Sequence, residues 1–353
     1  MSRARPVAFY LPQFHPVPEN DVWWGPGFTE WTNTAKARPL FPGHRQPNLP
    51  ADLGFYDLRL PETREAQSDL AQSYGVEAFC YWHYWFGDGR RILERPFAEV
   101  LASRSPGISF CLAWANQTWS GIWHGSPDRI LVRQTYPGPE DEQAHFDTLL
   151  PAFRDERYLR VDGRPVFYVF RPEDLPDAAG FVDRWQAMAR AAGLEGMYLV
   201  AEMGDLWGYG PRYDRVKEDG FDAGVHVRLP VRVEGLGKLR MRVGRRLGLP
   251  EIYRYDADWA SLARVGEHIL PCVYPNWDNS PRSGRRGVVV EGARPELFEK
   301  AVRVAATSVQ HRAPDERLLW VKSWNEWAEG NHLEPDLRFG HGWLRALQDG
   351  LRD

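Results

Sequence analysis

Cysteine is scarce in this 353-residue chain, with three at Cys80, Cys111 and Cys272. An odd number, each inside an apolar run, excludes a disulfide framework and predicts buried, reduced thiols. Charge of one sign is also lacking. Lys and Arg number 44 against 48 Asp and Glu, a net charge of -4 that gives no overall attraction to a polyanion, so no nucleic-acid partner is expected, although local basic patches stay open. No stretch approaches the roughly 18 apolar residues of a membrane span, so no transmembrane segment is expected. Near the N-terminus, Arg3 and Arg5 precede an apolar run from Val7 to Leu11 that stops at Pro12, too short for an export signal; a cytoplasmic location is the expectation. A Gly-rich phosphate loop after the first apolar run is missing, which speaks against dinucleotide binding. Internal repeats and low-complexity segments are absent, so residues 1–353 read as a single domain.

Aromatic rings are abundant instead, at 13% of the chain with 16 tryptophans, and flat apolar rings suit the faces of sugars. Eight apolar runs rich in β-formers stand out: Val7 to Tyr10, Ala78 to Trp82, Ile108 to Trp114, Val166 to Phe170, Met197 to Ala201, Ala223 to Val227, Ile269 to Tyr274 and Leu318 to Ser323. Helical spacing separates most of them, over Pro61 to Tyr74, Ile92 to Ser103, Glu140 to Phe153, Phe181 to Ala192 and Pro295 to Gln310, and Trp343 to Leu351 closes the chain. Eight strands alternating with helices predict an α/β fold of the (β/α)8 TIM-barrel type with extended βα loops.

Catalytic groups in such barrels gather where strands end. The polar residues obey this register: Gln13 and His15 follow the first strand, His83, Tyr84 and Trp85 the second, Asn116 and Trp119 the third (which ends near Trp114), and Glu202 the fifth. His226 lies at the sixth, Asn276, Trp277 and Asp278 follow the seventh, and Trp324, Asn325, Glu326, Trp327, Glu329 and Glu334 the eighth. All are candidates for one sugar-binding cleft. Residues 16–59 form a long first loop expected to be ordered over part of the mouth. A basic insertion at about 230–268 places Leu236, Leu239, Val243 and Leu247 on one helical face, with Lys238, Arg240, Arg242, Arg245 and Arg246 over much of the rest. A solvated helix on the barrel edge is the plainer reading; peripheral contact with anionic lipid or a lipid-linked glycan through residues 232–246 is the alternative.

The stretch SWNEWAEGNHLEP, from Ser323 to Pro335, invites three chemical readings. Glu326 and Glu329, three residues apart after an apolar strand, fit acid/base work at a glycosidic bond, where one carboxyl is protonated and its partner ionised. Glu329 and His332 also match a Glu-x-x-His metal pattern, but that pattern needs partner helices in a bundle, so no metal and no organic cofactor is expected. Acidic decoration of a solvated first turn is the third reading, weakened here by the interleaved tryptophans.

Several long segments then carry a resemblance. FYLPQFHPVPENDVWWGPGFTEWTN, FCLAWANQTW, PCVYPNWDNSPR and WNEWAEGNHLEPD resemble the WbsX-type proteins, known as glycosyltransferases of polysaccharide loci and related to glycoside hydrolase family 99. That resemblance spans about Phe9 to Asp336. It implies a (β/α)8-barrel retaining enzyme of endo-α-mannosidase or mannanase type, acting through a 1,2-anhydro sugar. By the match of Asn325, Glu326, Trp327, Glu329 and Gly330 to the family's N-E-W-x-E-G motif, Glu326 would take the proton from the sugar 2-hydroxyl. Glu329 would protonate the leaving oxygen, and Glu334 would support substrate binding. The expected function is a retaining glycoside hydrolase acting on an α-linked oligosaccharide or polysaccharide. The alternatives are a glycosyltransferase of O-antigen or capsular polysaccharide and a non-catalytic glycan-binding protein. A transferase of the usual kind would carry a nucleotide loop and an Asp-x-Asp motif, for which Asp256-Ala-Asp258 is a poor candidate.

Overall fold

A computed structural model describes residues 4–121, 126–204, 213–231, 248–256 and 266–352. Eight parallel strands form its centre: β1 Arg5–Tyr10, β2 Ala78–His83, β3 Ser109–Trp114, β4 Arg164–Val169, β5 Tyr198–Gly204, β6 Ala223–Val227, β7 Ile269–Val273 and β8 Leu318–Val321. Each pairs with its sequence neighbours, and β1 pairs with β8, so the sheet closes into a barrel. Helices lie between strands, among them Pro61–Ser73, Arg95–Ser103, Pro139–Phe153, Ala178–Ala191 and Pro295–Ser308. This is the (β/α)8 barrel that the alternation of patterns predicts.

The strands are buried almost throughout, which explains why they read as continuous apolar runs rather than alternating ones. Phe9, Tyr168 and Trp320 pack mutually inside the barrel, with centroids 5.0 to 5.2 Å apart, and Trp82 stacks on Phe9 at 4.9 Å. This aromatic layer plugs the barrel and forms the floor of its mouth. Tyr10, Phe79 and Tyr81 instead pack outside it, Tyr10 donating to Gln67 of the Pro61–Ser73 helix. Cys80, Cys111 and Cys272 are buried, unpaired thiols in the strands, as their apolar settings predict.

Several boundaries differ from the sequence expectation. β5 continues to Gly204, so Glu202 lies within the strand rather than after it, and β8 ends at Val321 rather than Ser323. The first loop contains two seven-residue helices, Pro18–Trp24 and Glu30–Lys36, too short for a periodic signal to reveal. The second opens with a capping box between Thr29 and Thr32. The third βα connection adds an antiparallel pair, Trp119–Gly121 with Ser126–Val132, and Glu251–Arg254 pairs in parallel with Val288–Glu291. Residues 232–247 lie outside the described residues, and with them the basic stretch at 232–246 on which the lipid-contact alternative falls. Among the described residues no helix is long and apolar enough to cross a membrane.

Candidate active site at the barrel mouth

The chain leaving β8 is held in a fixed course before it presents any acid. Asn325 places its side chain between strands: Oδ1 accepts from Leu11 N at 2.7 Å and Nδ2 donates to Leu11 O at 3.0 Å. A side-chain amide thus replaces a backbone pairing where β1 and β8 diverge. Ser323 Oγ donates to Asn331 O at 2.6 Å and accepts from Glu326 N at 2.9 Å, and Asn325–Glu326 pairs antiparallel with Asn331–His332. Between them Trp327–Glu329 makes one 3-10 turn that ends at Gly330, φ +67°. Glycine is required there. A Cβ would lie 2.9 Å from Asp278 N, at the point where that amide donates to Glu329 O at 2.7 Å.

This turn brings Glu326 and Glu329 together, both buried and hydrogen-bonded to each other. Trp82 Nε1 donates to Glu326 Oε1 at 3.1 Å, and Arg282 Nη1 donates to Glu329 Oε1 at 2.5 Å. The same guanidinium donates through Nε to Glu30 Oε1 at 2.7 Å, tying the first loop to the site, and its Nη1 stands 3.8 Å from Glu326 Oε2. Burial raises both carboxyls, but their surroundings separate them. At Glu326 the positive charges of Lys322 and Arg282 outweigh burial and hold it below its ordinary value. At Glu329 burial and the adjacent Glu326 charge outweigh Arg282, so it is pushed up to about 8. The pair therefore holds one proton at neutral pH, on Glu329.

The mouth around this pair keeps some predicted residues and not others. Tyr84 lies close, since burial and then the Glu326 charge raise its hydroxyl. Half-buried Trp119 meets Tyr84 edge-on at 4.9 Å. Glu202 opens from β5, accepting from Tyr168 OH at 2.8 Å, and burial raises its carboxyl despite Lys322. Gln13 is half-buried, its carbonyl accepting from Glu30 N at 2.9 Å.

Most of the remaining predicted residues pack into the protein or bond to it. His15 donates from Nδ1 to Pro12 O at 3.0 Å. His83 pairs through Nε2 with His145 at 2.8 Å, and burial brings it down to about 3, a neutral imidazole in the wall. Trp85 stacks on His145 at 4.7 Å and donates to Asp141 at 3.0 Å, while Trp114 donates to Trp85 O at 2.9 Å. Asn116 clamps the backbone of Arg171 and the hydroxyl of Tyr136. His226 is buried in β6, and Trp277 is buried beside Tyr274. Trp324 packs on Phe79, and Trp327 stacks on His332 at 3.8 Å. Glu334 accepts from Gln67 at 2.6 Å, Tyr56 at 2.9 Å and Trp327 at 2.6 Å, beneath the turn. Asn276 and Asp278 face a side cavity of about 120 Å³ shared with His44, Gly330 and Asp336. Leu40 N donates to His44 Nδ1, so His44 Nε2 carries the proton and donates to Asp278 Oδ2 at 2.8 Å. Gln46 donates to that same oxygen at 2.6 Å.

Four residues of the site escape the sequence reading: Arg282, Glu30, Lys322 and Trp82. Arg282 and Glu30 stand in proline- and aromatic-rich loop segments, so their charges among apolar neighbours were the one signal present; their pairing across 252 positions had none. Among the described residues no group of three or more His, Cys, Asp or Glu is arranged to hold a metal ion.

Fold and mouth define a (β/α)8-barrel protein with a buried, singly protonated carboxylate pair at the end of its last strand. The family described as "Glycosyltransferase WbsX" matches residues 6–347, and the chain belongs to that family. Two curated relatives, both called "Uncharacterized protein WxcX", come from strains ATCC 33913 and B100 of Xanthomonas campestris pv. campestris. Each is 40% identical over 98% of this chain and 49% of its own length. The chain thus spans about half the length of these relatives. Among solved structures, a "Glycoside hydrolase-like protein" superimposes with a TM-score of 0.64 at 14% identity, covering 100% of this chain and 95% of the other. A GH99 endo-alpha-mannosidase from Bacteroides thetaiotaomicron gives a TM-score of 0.53 at 13% identity, covering 98% and 95%. At such identities the likeness is one of fold.

Proposed function

We propose that this chain is a carbohydrate-active enzyme, and that it cleaves an α-linked, mannose-like glycan by a retaining hydrolytic mechanism. The observation that carries this reading is the divided protonation of Glu326 and Glu329 at the barrel mouth. Ionised Glu326 takes the proton from the sugar 2-hydroxyl as O2 bonds to C1. The C1 to leaving-oxygen bond breaks, and that oxygen receives the proton from Glu329. Water, deprotonated by Glu329, then opens the 1,2-anhydro ring at C1, and Glu326 returns its proton to O2. Every proton taken is given back, and no cofactor is consumed. Arg282 and Lys322 keep Glu326 ionised, while burial and the Glu326 charge keep Glu329 protonated. Asp278 and Glu334 contribute by fixing the loops, and Tyr84 and Trp119 offer the sugar its apolar surface. The buried thiols, with Cys80 and Cys111 opposite each other on β2 and β3, support a reducing, cytoplasmic setting.

The family description favours a second reading, sugar transfer in polysaccharide assembly. Mass spectrometry in heavy-oxygen water, with bacterial polysaccharides, oligosaccharides and nucleotide sugars supplied, separates the two. Heavy oxygen at a new reducing end is the expected result. Chain extension with nucleotide release would overturn hydrolysis in favour of transfer.

A further inference from the structure

Lys322 directly follows β8, and its side chain has an unusual setting. Its ammonium lies over three rings, 5.3 Å from Trp82, 5.7 Å from Phe9 and 5.8 Å from Phe170. The residue is more than nine-tenths buried. Burial opposes its charge, but Glu202, Glu326 and Glu329 together outweigh burial and keep it cationic. Yet among the described residues no carboxylate lies within ion-pair distance of Nζ, and no acceptor takes a hydrogen bond from it. Nζ is not wholly enclosed by protein atoms. Glu202 matches it. Oε2 accepts from Tyr168, while Oε1 has no hydrogen bond among the described residues and is likewise not enclosed.

A charged donor over the ring of Phe9 and a charged acceptor bonded to Tyr168, two rings whose centroids lie 5.1 Å apart, thus share one end of the aromatic layer without satisfying each other. We propose that Lys322 and Glu202 form a subsite that grips a vicinal diol of the sugar unit seated at Glu326 and Glu329. One hydroxyl accepts from Lys322 and its neighbour donates to Glu202 Oε1. Protein acceptors around Lys322 would hold its donors permanently; the three rings keep the charge in place while leaving all three N–H groups for ligand. This deepens the proposed function by naming the recognised substrate feature, and rests on that reading for the position of the sugar.

The test is binding of methyl α-glycosides of mannose, rhamnose, glucose and galactose, with their monodeoxy derivatives, measured by saturation-transfer NMR on the whole chain. The wild type is expected to bind at least one of them, and Lys322→Met to bind it about tenfold or more weakly, the scale of one charge-assisted hydrogen bond. Removing the hydroxyl that accepts from Lys322 should weaken wild-type binding similarly and affect Lys322→Met much less, whereas removing its neighbour should weaken both. Methionine keeps the stem against the rings, and Lys322→Arg, which retains the charge, should bind within a few-fold of wild type. Equal affinity in Lys322→Met, or no binding of any glycoside by the wild type, overturns the proposal. If Lys322-dependent binding persists in a protein that neither hydrolyses nor transfers sugar, the subsite stands and the hydrolase reading falls.

Discussion

Arg282 donates to Glu329 at 2.5 Å while its Nε holds Glu30 of the first loop at 2.7 Å, so one guanidinium fastens the candidate acid to the segment that covers it. Charges buried this way are costly to unpair. Arg282→Gln should destabilise the fold by roughly 3 to 5 kcal/mol in urea unfolding, because Glu30 and the carboxylate pair lose their shared cation. Removing that positive charge also raises both glutamates, so the surviving activity should peak at higher pH than in the wild type.

The pH dependence of kcat/KM in the wild type should be bell-shaped. Rate requires ionised Glu326 and protonated Glu329. The alkaline limb should fall near pH 8, where Glu329 loses its proton, and the acid limb should lie below the usual glutamate range because Glu326 is held down. A flat profile from pH 5 to 9 would remove the pair from the chemistry.

The two acids should separate by leaving group. Glu329→Gln should lose at least about a hundredfold on natural glycans but recover on a dinitrophenyl glycoside, whose leaving oxygen needs no proton. Glu326→Gln should fail on both substrates. Initial rates on the two substrate types decide this, and unchanged turnover in either variant would overturn that residue's role.

Asn325 should matter to stability rather than to chemistry. Asn325→Ala leaves Leu11 N and O buried without partners, at a cost of about 2 to 4 kcal/mol in chemical denaturation. A loss below 1 kcal/mol would mean that the β1 and β8 ends are held by other contacts.

The barrel was legible because each strand is buried on both faces, and a parallel strand covered by helices requires a continuous apolar run between helical patterns. Glu326 and Glu329 stood out as candidates for a related reason: acids set among tryptophans immediately after such a run argue against surface decoration, and both are buried. The fates of the aromatic residues were not legible. Trp85, Trp114, Trp324 and Trp327 look in sequence like Trp119, but the first four have their faces taken by His145, Phe181, Phe79 and His332. Whether a ring faces sugar or core depends on which side of the chain its neighbours occupy, and those neighbours come from distant segments.

The chain's own order of apolar runs and polar strand ends determined the barrel, the end of it that carries the acids, and the two glutamates. Motif resemblance pointed to Glu329 as the proton donor, but only the tertiary structure supplies the physical reason that it, rather than Glu326, keeps its proton. The charges that separate them come from Arg282, in the loop after β7, and from the turn that sets Lys322 over the rings of Phe9, Trp82 and Phe170. Electrostatic interaction depends on distance in space and on the depth of burial, and neither is a property of position along the chain.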